Sequence, residues 1–262
     1  MLLSEDFAGK TAIITGANRG IGRAIAIRLA QGGATVVLAA RDATALREAA
    51  AAIEATGGRA RTLAIDLRSA EAPERVAAFA LEQTGQIDIV VNNAGATRRG
   101  TFGALTDEEW IDGFALKFFG AVRLTRAAWP HLEKSAGSVL FIAGVGGRTP
   151  GPEFAIGGSV NAALLSLTKS LADAGLPAGI RVNAINPGTI RTQRFQARLD
   201  ALARETGTDA ASAEREYVRR AGITRIGEPA DIAQLAAFVL GPRGTLLNGA
   251  ILDMDGGATK SL

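Results

Sequence analysis

A lysine stands where a helix should be apolar. Across residues 107–134, Trp110, Phe114, Ala121 and Ala128 recur at three- and four-residue steps and share one helical face. Asp112, Arg123 and Arg126 fall on the opposite side. Lys117 projects from the apolar side, where an ammonium is costly without a partner or a task. Taking it out of water favours the neutral amine, the form that base or nucleophile chemistry requires. The bland alternative is a stem lying on the surface with its head in solvent. Few other residues could do chemistry. The chain has no cysteine and one histidine. That excludes a thiol nucleophile and a thiolate metal site, and no metal site is expected. His131 falls near the end of the same helix, where a cation suits the dipole, and reads as structural. Tyr217 is the only tyrosine.

A second group of residues suits phosphate. Thr15-Gly16-Ala17-Asn18-Arg19-Gly20-Ile21-Gly22 follows an apolar run and opens a helical pattern. Gly16 permits a tight turn. Gly20 and Gly22 let backbone approach a pyrophosphate, and the helix start presents N–H groups to the anion. Asn18, Arg19 and Ile21 complete the loop. The second apolar run ends VVLAARD. An acid at this place would bond the ribose 2′-hydroxyl of NAD; Ala40 stands there and Arg41 follows. Two planar guanidiniums, Arg19 and Arg41, could clasp a 2′-phosphate, which favours NADP(H) over NAD(H). Asp42, one residue later, leaves NAD(H) open.

These groups need a scaffold. TAIIT, TVVLA, RTLAI, IDIVV, SVLFI, IRVNAI and AILDM read as strands separated by alanine- and leucine-rich helical segments. Near-continuous apolar strands alternating with helices imply a parallel sheet covered on both faces. The expected fold is α/β, a doubly wound Rossmann-type sheet of about seven strands, in one domain over residues 1–262. The polar, arginine-rich stretch 191–226 interrupts the pattern after the sixth strand and reads as a substrate lid. The N-terminus lacks the apolar run of a signal peptide and no long apolar span occurs, so a cytoplasmic protein without a membrane segment is expected. A net charge of +3 on 262 residues is too small to argue for nucleic acid.

Taken together, these residues resemble the short-chain dehydrogenase/reductase family along the whole chain. The Thr15–Gly22 loop, Asn92-Asn93-Ala94-Gly95 ending the fourth strand, Asn186-Pro187-Gly188 after the sixth and the closing LNGAILDMDGG carry the likeness. It implies cofactor contacts from Asp66 and Leu67 on the adenine side, from Asn93, Ala94 and Gly95, and from Pro187, Gly188, Ile190 and Thr192 near the nicotinamide. It also implies a small-molecule substrate and a homotetramer or homodimer packed on the long helices. The family's catalytic asparagine, serine, tyrosine and lysine fall on Lys117, Gly144, Gly157 and Asn161, so this sequence departs at all four. With Tyr217 inside the lid, no Tyr-x-x-x-Lys can be restored. Lysine and asparagine have changed places between two neighbouring helices, so Lys117 and Asn161 are the candidate catalytic and ribose-binding pair. Gly157 and Gly158 leave room where a phenol would stand, enough for a bulkier substrate or water. Arg98, Arg99 and Arg148 rim the expected pocket and suggest an anionic substrate.

Three functions fit. The favoured one is an NADP(H)-dependent oxidoreductase acting on a carbonyl or alcohol with a non-standard active site. The others are a catalytically silent dinucleotide-binding protein, and a lyase or isomerase using Lys117 as base or Schiff-base amine.

Overall fold

The seven apolar runs form the strands of one sheet in the computed structural model, which describes residues 6–260. They are β1 (Thr11–Thr15), β2 (Thr35–Ala40), β3 (Arg59–Ala64), β4 (Ile89–Asn92), β5 (Ser138–Ile142), β6 (Arg181–Pro187) and β7 (Ile251–Met254). Their order is β3-β2-β1-β4-β5-β6-β7 and every pairing is parallel. The strand order, not the strand direction, reverses between β1 and β4. Such a switch point opens a crevice at the strands' carboxyl ends, where ligands bind in this architecture. Thr15, Ala40, Asn92, Ile142 and Pro187 lie along that edge.

Parallel strands need crossovers, and helices on both faces supply them. α1 (Gly20–Gln31), α2 (Ala43–Glu54) and α9 (Pro229–Leu240) cover one face, around Ile14, Ile25, Leu29, Val36 and Ile232. On the other face, α3 (Ala72–Thr84), α5 (Gly120–Ser135) and α6 (Ala155–Gly175) pack around Val90, Leu124, Phe141 and Leu164. β1, β4 and β5 are buried along their whole length, as strands covered on both faces must be.

The long helix expected over residues 107–134 is interrupted. α4 (Asp107–Phe114) starts on a Thr106–Glu109 capping box. It then passes through a π-helical turn, Ala115–Phe119, before α5 begins. One extra residue in the turn shifts the helical phase, so the apolar face does not continue straight across it. Lys117 lies at the middle of that turn, and such bulges often mark functional positions. The stretch 191–226 folds as two further helices, α7 (Gln193–Thr206) and α8 (Ala210–Ala221). They share a small apolar cluster of Phe195, Leu199, Tyr217, Val218 and Ile226.

Candidate active site

The glycine loop is held by the segment that ends β4. Asn93 Nδ2 donates to the carbonyls of Thr15 (2.9 Å) and Gly16 (3.3 Å). The backbone N–H groups of Asn93 and Ala94 both donate to Thr15 Oγ1 at 3.0 Å. Thr15 Oγ1 in turn donates to Val91 O. Gly16 has φ +65°, and a Cβ on Gly22 would sit 2.4 Å from both Gly16 O and Asn93 Nδ2. Glycine at 22 is therefore needed for α1 to start this close to the loop. α1 begins at Gly20 behind Arg19 without a capping side chain. The first N–H groups of a helix have no intrahelical acceptor, so this end is suited to an anion. Ile21 packs on the core beneath while Asn18 and the exposed Arg19 stay in the turn. Gly95 must also be glycine, because a Cβ there would meet the Lys117 stem at 2.8 Å.

On the adenine side, Asp42 is the N-cap of α2 and accepts from Thr44 N and Ala45 N at 3.0 Å. Both bonds go to Oδ1, so one carboxylate oxygen of Asp42 serves the helix start. Arg41 is exposed and reaches Asp66 at 3.8 Å. Asp66 also pairs with Arg68 at 3.4 Å. Arg68 bonds Asp112 on α4, and that hydrogen bond raises the guanidinium's pKa and lowers the carboxyl's. Leu67 is buried in the core under these charges.

Lys117 and Asn161 meet. Lys117 Nζ donates to Asn161 Oδ1 and to Ala143 O, each at 2.6 Å. Asn161, on α6, is 2% exposed. A Cβ on Gly144 would lie 3.0 Å from Asn161 Nδ2, and Gly144 has φ +144°. Its N–H donates to Asn186 Oδ1 at 3.1 Å. The space at Gly157 is filled. A Cβ there would fall 2.1 Å from Cζ and 2.2 Å from Cε2 of Phe154, whose ring also presses on Gly146. The room expected at 157 for water or a larger substrate is thus taken by this ring, which enters from one turn earlier in the chain. The Arg99 guanidinium lies over the same ring, 4.2 Å from its centroid.

Arg98 pairs with Glu109 (3.3 Å) and Arg148 with Asp253 (3.4 Å). After β6, Gly188 fits against Asp255, where a Cβ would come within 2.6 Å of the backbone. Ile190 bridges Gly227 and is buried. Thr192 caps α7, and its methyl lies 3.3 Å from where a Gly20 Cβ would be. The first turn of the 191–226 segment therefore touches the glycine loop. Arg19 Nη1 reaches Gln193 Oε1 at 3.5 Å across the same gap. Arg191 joins α8 to the start of α9, pairing with Glu214 (2.6 Å) and Glu228 (2.8 Å). The hydrogen bond from Arg191 pulls Glu214 below the usual carboxylate range. Tyr217 OH is 2.9 Å from Thr189 Oγ1, just after the Asn186-Pro187-Gly188 segment.

Two participants were not singled out from sequence. Phe154 is hidden because nothing in the chain marks a ring that folds back over Gly157. Asn186 is marked in the sequence only by the Asn-Pro-Gly motif it opens. It is fully buried, takes the Gly144 N–H and donates to Asp253 Oδ1 at 2.8 Å, tying the loop after β5 to β7. A buried asparagine near the carboxyl end of a strand covered on both faces is the available signal. Among the described residues no helix is long and apolar enough to cross a membrane, and no group of three or more His, Asp or Glu could hold a metal.

A seven-stranded parallel sheet with a glycine loop at its switch point defines a dinucleotide-binding α/β protein. The short chain dehydrogenase family model matches residues 10–203, and this protein belongs to that family. It is 40% identical over 252 residues to an uncharacterised oxidoreductase of Mycobacterium tuberculosis, covering 95% of this chain and 92% of the relative. Among solved structures, the L-sorbose reductase of Gluconobacter frateurii, in complex with NADPH and L-sorbose, superposes with a TM-score of 0.94 at 32% identity over the full length of both chains. The NADPH-bound short-chain oxidoreductase of Pseudomonas aeruginosa, which contains an atypical catalytic centre, gives 0.91 at 29% identity, covering 98% of this chain and 100% of that one.

Proposed function

We propose that this protein is an NADP(H)-dependent oxidoreductase of carbonyl or alcohol substrates with a non-standard active site, in which Lys117 and Asn161 stand where the family's usual catalytic residues would act. The observation that carries this reading is the 2.6 Å hydrogen bond between Lys117 Nζ and Asn161 Oδ1 beside Gly144. The glycine loop fits a dinucleotide: α1 starts with no side-chain cap, and Gly16 and Gly22 admit no Cβ. Arg41, with Arg19 on the loop, supplies the charge for a 2′-phosphate, while Asp42 is engaged as a helix cap. Asp66, Leu67, Asn93, Ala94 and Gly95 would line the adenosine side and the middle of the groove. Pro187, Gly188, Ile190 and Thr192 would border the nicotinamide. The NADPH complexes of both solved relatives support this assignment.

A bound nicotinamide supplies or accepts hydride, so the protein has to orient the substrate and move one proton. Lys117 is suited to the proton. Unperturbed lysine and tyrosine have nearly equal acidities, about 10.4 and about 10. Nζ donates to two acceptors, which suits an acid better than the exposed lone pair a Schiff-base nucleophile needs. The 191–226 segment, touching the loop through Thr192, would act as the substrate lid. An anionic group on the substrate would lie near the rim arginines Arg98, Arg99 and Arg148. A homo-oligomer is expected, and Phe119 of the π turn, 45% exposed, offers apolar surface for it.

The test is carbonyl-dependent oxidation of NADPH, followed at its absorbance band, with L-sorbose, other ketoses and simple diketones as probes. Turnover by the wild type that is lost in Lys117→Ala supports the proposal. Turnover that survives in Lys117→Ala removes lysine from the mechanism, and borohydride trapping of a carbonyl probe on Lys117 would point to the lyase instead.

A further inference from the structure

We infer that Asn161 is the group that polarises the substrate carbonyl, its Nδ2 donating to the same oxygen that Lys117 protonates. The inference rests on the oxidoreductase reading above and adds a role to it. Lysine is a donor only, so the carboxamide oxygen of Asn161 must face Nζ. The amide nitrogen, on the same planar carbon, is splayed to one side of that oxygen by covalent geometry. It is directed at the loop after β5: a Cβ on Gly144 would lie 3.0 Å from Nδ2, and one on Gly146 3.8 Å. The Asn161 residue is 2% exposed as a whole, and Nδ2 is not among the fully buried, unpartnered polar atoms of the described residues, so this nitrogen stays accessible from the groove. An amide donor open to the groove can give its proton to a ligand oxygen. A substrate oxygen above Gly144 would be that acceptor.

The surroundings are built around this orientation. Gly144 has no side chain to collide with the amide, and its φ of +144° is a conformation that other residues rarely adopt. From below, Asn186 fixes the Gly144 N–H, and Asp253 fixes Asn186. A Cβ on Gly147 would lie 3.0 Å from Asn161 Cβ, so the loop sits directly on α6 at this residue. A bound reduced nicotinamide would supply hydride to the carbonyl carbon, and the π pair would move onto oxygen. That oxygen takes a proton from the Lys117 ammonium and becomes the alcohol, and solvent reprotonates the amine. Asn161 keeps both amide protons throughout and holds the charge as it develops on oxygen.

The experiment has two parts. Asn161→Asp keeps the size and the acceptor for Lys117 but removes the donor. With biacetyl as the carbonyl probe, kcat should fall at least about a hundredfold, the usual loss on removing one such donor, while the Kd for NADPH changes less than about threefold on the same scale. In the wild type, the side-chain amide 15N–1H signal that Asn161→Asp deletes should move when isobutyramide, an unreactive carbonyl, is added to the NADPH complex. An Asn161→Asp enzyme with unchanged kcat, or one that loses NADPH affinity instead, would make Asn161 a ribose ligand or a structural residue and overturn the inference. An amide signal indifferent to isobutyramide would overturn it as well. Failure of the wild type to bind NADPH at all would be recognisable separately, because it defeats the oxidoreductase reading first and this inference with it.

Discussion

Gly157→Ala should change the sign of its effect according to what stands at residue 154. In the first turns of a helix, alanine in place of glycine ordinarily stabilises by about 0.5–1 kcal/mol. Here the new Cβ would fall 2.1 and 2.2 Å from two ring atoms of Phe154, so the ring must leave its seat between Gly146 and Gly157. Overpacking of this kind costs about 1–3 kcal/mol. Losing the Arg99 contact adds about 0.5–1 kcal/mol at an exposed site. The net expectation is destabilisation by about 1–3 kcal/mol, from these overpacking and propensity values together. In a Phe154→Ala background the clash is gone and only the helix preference remains. There the same substitution should stabilise by about 0.5–1 kcal/mol. Urea unfolding of the four proteins at equal slope measures both steps, with a coupling energy of about 2 kcal/mol or more expected for contacting residues. Equal effects of Gly157→Ala in both backgrounds would show that the ring does not occupy this space. By the same geometry, a tyrosine at 157 alone should not restore a working phenol.

Arg41→Ala should weaken NADPH binding by about tenfold or more, the scale of one charge-assisted contact, and leave NADH binding nearly unchanged. Titration of both nucleotides checks this, and an equal loss for the two would assign Arg41 elsewhere. Gly22→Ala should lose dinucleotide binding, since its Cβ would fall 2.4 Å from Gly16 O and Asn93 Nδ2; retained affinity would mean the loop is not the cradle. Acid should loosen the 191–226 segment. Glu214 is held below its unfolded pKa by Arg191, so its contribution is fully present above that unfolded value, about 4.3, and is lost as pH falls through the lower folded one. The difference in Tm between wild type and Glu214→Gln should therefore be largest near neutrality and vanish in strong acid. A gap that persists in acid would contradict the pairing.

Much of the scaffold was legible because parallel strands buried on both faces write themselves as uninterrupted apolar runs. Each of the seven runs is a strand of the sheet. The glycine loop was legible for a related reason: Gly16 and Gly22 are required by close backbone approach, which no other residue type can meet. Local rules failed where a contact is long-range or a helix changes pitch. The π turn at Ala115–Phe119 follows no simple periodicity, so an unbroken face was drawn through it. The Phe154 ring closes the space at Gly157 through a side-chain torsion that the sequence does not encode locally. Asp42 was read as a possible ribose ligand, although its position just before α2 is equally that of an N-cap, the role it has. The meeting of Lys117 and Asn161 was readable only as an exchange of two residue types between two helices.

The most direct measurement is equilibrium binding of NADPH and NADH to the folded wild-type protein, read from nicotinamide fluorescence. A site built on the Gly16–Gly22 loop, with Arg41 at the ribose, should bind NADPH clearly more tightly than NADH. No binding of either nucleotide, or equal binding of both, would contradict the proposed cofactor site.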